Sequence, residues 1–147
     1  MKNAIVMSAL AITMSLSSCG IFQKESKTDA ASSEVITGKK WKLIELNGKP
    51  VADKINGKEP FLKLDDNDKR YSASGGCNGI GGSFTLSANN RINFSQGMST
   101  MMACQDMATE QELAKILEIA DNYNFDGKTL KLNKARMVPL AEFEIIK

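Results

Sequence analysis

The sequence predicts an α+β domain: a strongly curved antiparallel sheet, a partly open barrel, packed around one amphipathic helix. Three observations lead there. Short alternating runs separated by turn residues fill positions 41–95, the pattern of consecutive strands. One helical stripe follows within residues 109–123, and two further alternating runs come after it. No strand–helix–strand alternation occurs, so the sheet is expected to be antiparallel. The 147 residues suit a single domain with a core of its own.

The elements follow in order. Trp41 to Leu46 reads as a strand entering the turn Asn47-Gly48-Lys49-Pro50. Phe61-Leu62-Lys63-Leu64 alternates likewise, and "DDND" at 65–68 turns the chain into a run from Lys69 to Ser74. "GGCNGIGGSF" at 75–84 then reads as a tight corner between strands. Ser83 to Ser87 and Arg91 to Ser95 form a hairpin across Ala88-Asn89-Asn90, where asparagines tolerate left-handed backbone. Met98 to Cys104 alternates Met98, Thr100, Met102 and Cys104 on one side, which predicts extended chain. In "TEQELAKILEIADNY", Leu113, Ile116, Leu117 and Ala120 recur at helical spacing. Thr109 and Glu112 fit a capping box, placing the helix start at Thr109. Asp126-Gly127 turns into Thr129 to Leu132, and Pro139 to Ile146 forms a last strand with Ala141, Phe143 and Ile145 on one side.

The N-terminus is of another kind. Lys2 precedes a short apolar run, Ala4 to Leu16, which closes on "LSSC" at 16–19. The run is too short to span a bilayer and has the build of a signal-peptide core. Its ending resembles a bacterial lipobox, which implies cleavage after residue 18 and acylation of Cys19; an ordinary secretory signal is the plainer alternative. Residues 1–18 are thus a signal peptide, 19–37 a lipid anchor and tether, and 38–147 the folded domain. The tether, rich in charge, Ser and Ala, reaches about 20 Å, enough to hold a domain clear of the membrane it is anchored to. Gly20 after the lipid cysteine resembles outer-membrane sorting.

Charge and composition exclude several functions. Removing the signal takes only Lys2 from the 19 basic residues, leaving 18 against 17 acidic ones, too balanced for nucleic-acid binding. The absence of histidine removes Ser-His-Asp and Cys-His arrangements and most imidazole metal sites. No catalytic residues, cofactor-binding residues or metal ligands are expected, and the chain is expected to be a monomer.

Four patterns deserve weighing. Gly76, Gly81 and Ser83 approach a phosphate loop, but Gly82 replaces its lysine and a β-prone run follows instead of a helix. Counted from Asp65, a calcium loop would need an oxygen ligand, a glycine and a glutamate where Lys69, Arg70 and Gly76 stand. Met98, Met101, Met102 and Met107 crowd around Cys104, a soft-ligand set suited to copper(I). On a strand, however, Met101 would face away from Met98 and Met102, and methionine is a common gap-filler, so packing is the expectation. Cys77 and Cys104 are the two thiols left once Cys19 is lipidated. A disulfide is expected, ahead of two buried free thiols and, last, a reactive thiol.

"WKLIELNGKPV", "GGCNGIGGSF", "STMMAC", the helix near "TEQEL" and "GKTLKL" together resemble the META domain, the HslJ-like family, over about residues 39 to 146. Met101 stands where that family often has arginine, and Gln105 where it often has proline. The resemblance implies a small α+β domain with a curved antiparallel sheet, an envelope lipoprotein context linked in part to heat and drug stress, and no established catalytic site or ligand. The expected role is that of a non-catalytic envelope module acting through its surface, with an unidentified envelope protein as the candidate partner; a carrier of a small apolar ligand or lipid is the alternative.

Overall fold

The computed structural model describes residues 36–146. The expected signal peptide, Cys19 and the expected tether up to residue 35 lie outside the described residues. Ile36 and Thr37, which composition assigns to the tether, are buried, and the Ile36 carbonyl accepts a 2.8 Å hydrogen bond from the Trp41 indole. The folded unit therefore includes both.

Among the described residues ten strands surround one helix: β1 (Lys40–Leu46), β2 (Lys49–Pro50), β3 (Phe61–Asp65), β4 (Arg70–Ser74), β5 (Ile80–Ser87), β6 (Arg91–Phe94), β7 (Met98–Ser99), α1 (Ala108–Ile119), β8 (Asn122–Phe125), β9 (Thr129–Asn133) and β10 (Ala141–Ile145). The ladder runs β10-β9-β8-β6-β5-β4-β3-β1, all antiparallel, with β2 on β1 and β7 on β5. β1 also pairs with β10, from Trp41↔Ile145 to Leu46↔Ala141, while its other edge holds β3 from Lys40↔Lys63 to Lys42↔Phe61. Eight strands thus close into a barrel, which corrects the expectation of a partly open one. Alternation says which face of each strand is buried; it does not say that the first and last strands, about a hundred residues apart, share a ladder.

The period of two is visible in burial. Trp41 and Leu43 of β1, Leu62 and Leu64 of β3, Tyr71 and Ala73 of β4, Ile92 and Phe94 of β6, and Ala141 and Phe143 of β10 point inward and are buried. Burying each large apolar side chain contributes about 1.5–3 kcal/mol. Trp41 meets Phe125 edge-on at 5.5 Å, and Tyr71 meets Phe94 at 5.1 Å.

The weakest seam lies between β6 and β8, which share the single register pair Arg91↔Asn122. α1 enters the chain between these strands, and its Leu113, Ile116 and Leu117, with Ala120 just after it, belong to the same buried cluster as the strand residues. The helix begins at Ala108 rather than Thr109, and no side chain of its first flanking residue caps it. The Asp106 carboxylate accepts a 3.0 Å bond from the Ala108 N–H, which leaves the capping box unmade; Glu112 instead accepts from the Asn47 amide at 2.7 Å. The helix stops at Ile119 because Ala120 is extended (φ −62°, ψ 133°), and Asn122 and Tyr123, the last two residues of the run carrying the helical stripe, open β8 (Asn122–Phe125).

Candidate functional site

β4 ends at Ser74 and β5 starts at Ile80, so the glycine-rich corner spans residues 75–79; Gly81 and Gly82 are already strand. The corner is organised by two buried polar side chains, Asn78 (2% exposed) and Glu110 (5% exposed). The Glu110 carboxylate accepts from the backbone N–H groups of Cys77 (3.1 Å) and Asn78 (2.5 Å) and from the Asn78 amide (2.8 Å). The same amide donates to the Met102 carbonyl at 3.1 Å, and the Asn78 carbonyl oxygen accepts from the Met102 N–H (2.7 Å) and the Thr100 hydroxyl (2.9 Å). One asparagine therefore ties the corner to the first turn of α1 and to the segment after β7. Each buried polar atom finds a partner, as burial demands.

Two glycines make this convergence sterically possible. A Cβ on Gly75 would lie 2.2 Å from the Cα of Glu110, so only glycine lets the helix come this close. Gly76 has φ +109°, and a Cβ there would meet the Ile55 side chain at 2.4 Å. From the other side, Lys58 donates to the Cys77 carbonyl at 2.9 Å, and Asn56 donates to the Asp106 carbonyl at 2.6 Å.

Cys77 and Cys104 are brought together, with Sγ atoms 2.00 Å and Cα atoms 5.9 Å apart. Their partnership adds a covalent tie between the corner and the 100–104 segment. The "DDND" carboxylates spend themselves on their own turn. Asp65 accepts from the Asn67 backbone and amide at 3.1 Å each, Asp66 pairs with Lys69, and Asp68 accepts from the Arg70 N–H at 3.1 Å. Among the described residues no group of three His, Cys, Asp or Glu side chains could hold a metal ion.

The methionines depart from expectation. The paired strand ends at Ser99, not Cys104, and none of the loop's methionines is buried: Met98 is 77% exposed, Met101 100% and Met102 49%, with Met107 half-buried. The packing assignment is thereby corrected. The physical cause is the backbone. Thr100 and Met102 are both pinned to Asn78, and Thr100 N–H also bonds the Gly79 carbonyl at 3.2 Å, so the Met101 side chain between them is held outward. Met101, Met102 and Met107 line one cleft of about 420 Å³, floored by Ile80 and Ala114 and walled by Glu110.

Sequence patterns missed Glu110 and the central role of Asn78. Glu110 did leave a signal, since it sits three residues before Leu113 and so extends the buried stripe backwards. A carboxylate on an apolar stripe needs buried donors. Nothing local says that Asn78, 32 positions away, provides one of them.

The family model described as the META domain matches residues 34–145. No match is found among curated proteins. Three solved structures are similar. One, described only as an NMR structure, is 20% identical with a TM-score of 0.61 and covers 76% of this chain and 92% of its own. An NMR structure of a protein from Burkholderia xenovorans is 18% identical with a TM-score of 0.59 and covers 99% of both chains. A crystal structure of a DUF4847 family protein from Bacteroides vulgatus is 14% identical with a TM-score of 0.56 and covers 77% of this chain and 96% of its own. At these identities the likeness is one of fold.

Proposed function

The chain belongs to the META domain family, and from that premise we propose that it is a non-catalytic module of the bacterial cell envelope. In this reading a lipid on Cys19 anchors it, at the outer membrane, and it acts in stress tolerance or envelope assembly through its folded surface. One observation carries the proposal. At the most elaborately built part of the molecule the polar groups face inward and are consumed by one another, while apolar methionine side chains face out. A catalytic site presents reactive polar groups to a cleft; an interaction surface presents apolar ones on a rigid base.

The lipobox at 16–19 supports the anchor, and no helix among the described residues is long and apolar enough to cross a membrane. The Cys77–Cys104 geometry suits an oxidising compartment. The carrier alternative has less behind it, because the barrel interior is occupied by Trp41, Phe84, Phe143 and their neighbours. Cells expressing the wild-type chain or Cys19→Ala in place of the native gene test the reading. The wild type should fractionate with membranes and restore survival under heat or drug stress, and the variant should do neither. Membrane fractionation and rescue that persist in Cys19→Ala would refute the anchored module.

A further inference from the structure

All five methionines among the described residues lie outside the buried core: Met98, Met101, Met102 and Met137 are exposed and Met107 is half-buried. Leu, Ile, Phe, Trp and Tyr build the interior instead. Methionine in a small domain is ordinarily packing material, so a chain that keeps it out of the core and places four copies within residues 98–107 is using the sulfur for something else. Three of those methionines, Met101, Met102 and Met107, line a single cleft.

We propose that the cleft lined by Met101, Met102 and Met107 is a thioether site for a soft monovalent cation, copper(I). Thioether sulfur is a neutral, polarizable donor, the ligand type that selects copper(I) over the hard divalent ions. Two polar groups and two cysteines nearby are already committed. The Asn78 amide and the Thr100 hydroxyl bond each other and the backbone, and Cys77 and Cys104 hold each other's sulfur, so neither offers a thiolate. Neutral sulfurs leave the cation's single charge uncompensated, and the Glu110 carboxylate in the cleft wall supplies a counter-charge. It is buried and bonded to amide N–H groups rather than to a cation. The base is rigid, because the backbone on both sides of Met101 is fixed to Asn78 and the segment is tied again at Cys104. The sequence argument against copper relied on an extended segment turning Met101 away from Met102. Strand pairing ends at Ser99, and Met101 and Met102 both line the same cleft.

This inference deepens the surface reading and rests on it for the compartment in which copper(I) would be met. The test is a competition between the full chain, purified from its host envelope in detergent with any free thiols alkylated, and a coloured copper(I) chelator under anaerobic conditions. The wild type should withdraw a stoichiometric amount of copper(I), and X-ray absorption should show copper bound by sulfur. Met101→Leu, which alters a fully exposed side chain, should weaken retention, and Met101→Leu/Met102→Leu/Met107→Leu should abolish it. Directly bound ligands should cost more than the roughly 10–100-fold lost with an outer-shell partner. Leucine keeps the apolar surface and near-equal volume, so the fold and any protein-docking role survive while the sulfur is removed. No withdrawal by the wild type, or equal withdrawal by the leucine triple variant, overturns the copper assignment while leaving the surface reading intact.

Discussion

Substituting Gly75 by alanine tests whether the corner depends on close approach of the helix. The added Cβ would lie 2.2 Å from the Cα, 2.5 Å from the backbone nitrogen and 2.6 Å from the Cβ of Glu110. These are backbone or near-backbone atoms, which cannot swing aside, so the first turn of α1 must retreat by more than 1 Å on the scale of ordinary carbon contacts of roughly 3.5–4 Å. Overpacking of this kind costs about 1–3 kcal/mol. The retreat also lengthens the Glu110 bonds to the Cys77 and Asn78 N–H groups, and losing one hydrogen bond to a charged group adds about 1.5–3 kcal/mol. The expected loss is therefore about 2.5–6 kcal/mol, a large part of the roughly 5–15 kcal/mol that holds a domain together. Gly79→Ala is the control, four residues away in the same stretch, because a Cβ there meets nothing within 4 Å. It should change stability by less than about 0.5 kcal/mol or raise it slightly. Urea unfolding followed by the fluorescence of Trp41, the single tryptophan and fully buried, reads both. A loss below about 1 kcal/mol for Gly75→Ala, or equal losses at the two positions, would refute the close-approach argument.

Four further outcomes follow from the same structure. Asn78→Asp should destabilise more than Asn78→Ala at neutral pH, because it sets a second carboxylate against Glu110 where an amide now donates; equal losses would contradict the hub. Leu117→Ala should cost about 2–5 kcal/mol through a cavity, since Leu117 is 2% exposed; a change typical of surface positions would place that face in solvent. Cys77 and Cys104 should resist alkylation in protein taken from the envelope, and reduction should lower stability by about 3–4 kcal/mol for a separation of 27 residues; two alkylated thiols without prior reduction would defeat this. A hydrogen bond from the Ala135 backbone N–H and then one from the Asn122 side-chain amide hold the Asp121 pKa below the ordinary 3.8, and backbone bonds from Thr129 and Lys128 do the same for Asp126. A depressed folded pKa gives stability that is present above the ordinary value and lost as pH falls through the folded one, so Asp121→Asn/Asp126→Asn should be less stable than wild type at neutral pH and converge with it in strong acid; a constant difference would contradict the assignment.

Much of the fold was legible in the sequence because burial follows local periodicity. Trp41 and Leu43, Leu62 and Leu64, and Ala141 and Phe143 are inward-facing pairs that alternation alone identifies. β8 was not legible. Asn122-Tyr123-Asn124-Phe125 has two asparagines and follows the helix directly, and its strand character comes from pairing with β9 from Asn122↔Asn133 to Phe125↔Leu130. Barrel closure was equally hidden, since the β1–β10 ladder is a relation between chain ends. At the corner the cysteines were visible as a pair by count, whereas the Asn78–Glu110 contact joins residues whose types are common and whose separation carries no signal. The methionine segment misled because its alternation is real but inward packing does not follow from it; Thr100 and Met102 donate to Asn78, and the Met101 side chain between them is left exposed.

The central claim is that the chain acts through the methionine face held over the corner, and survival of stressed cells measures this most directly. In place of the native gene, cells would carry Met98→Ser/Met101→Ser/Met102→Ser, all three at exposed positions. Surface changes of this kind shift stability by about 0.5 kcal/mol or less each, which urea unfolding of the purified variant verifies. The account predicts a folded, membrane-fractionating protein that fails to restore survival under heat or drug stress. Full rescue by this variant would contradict it.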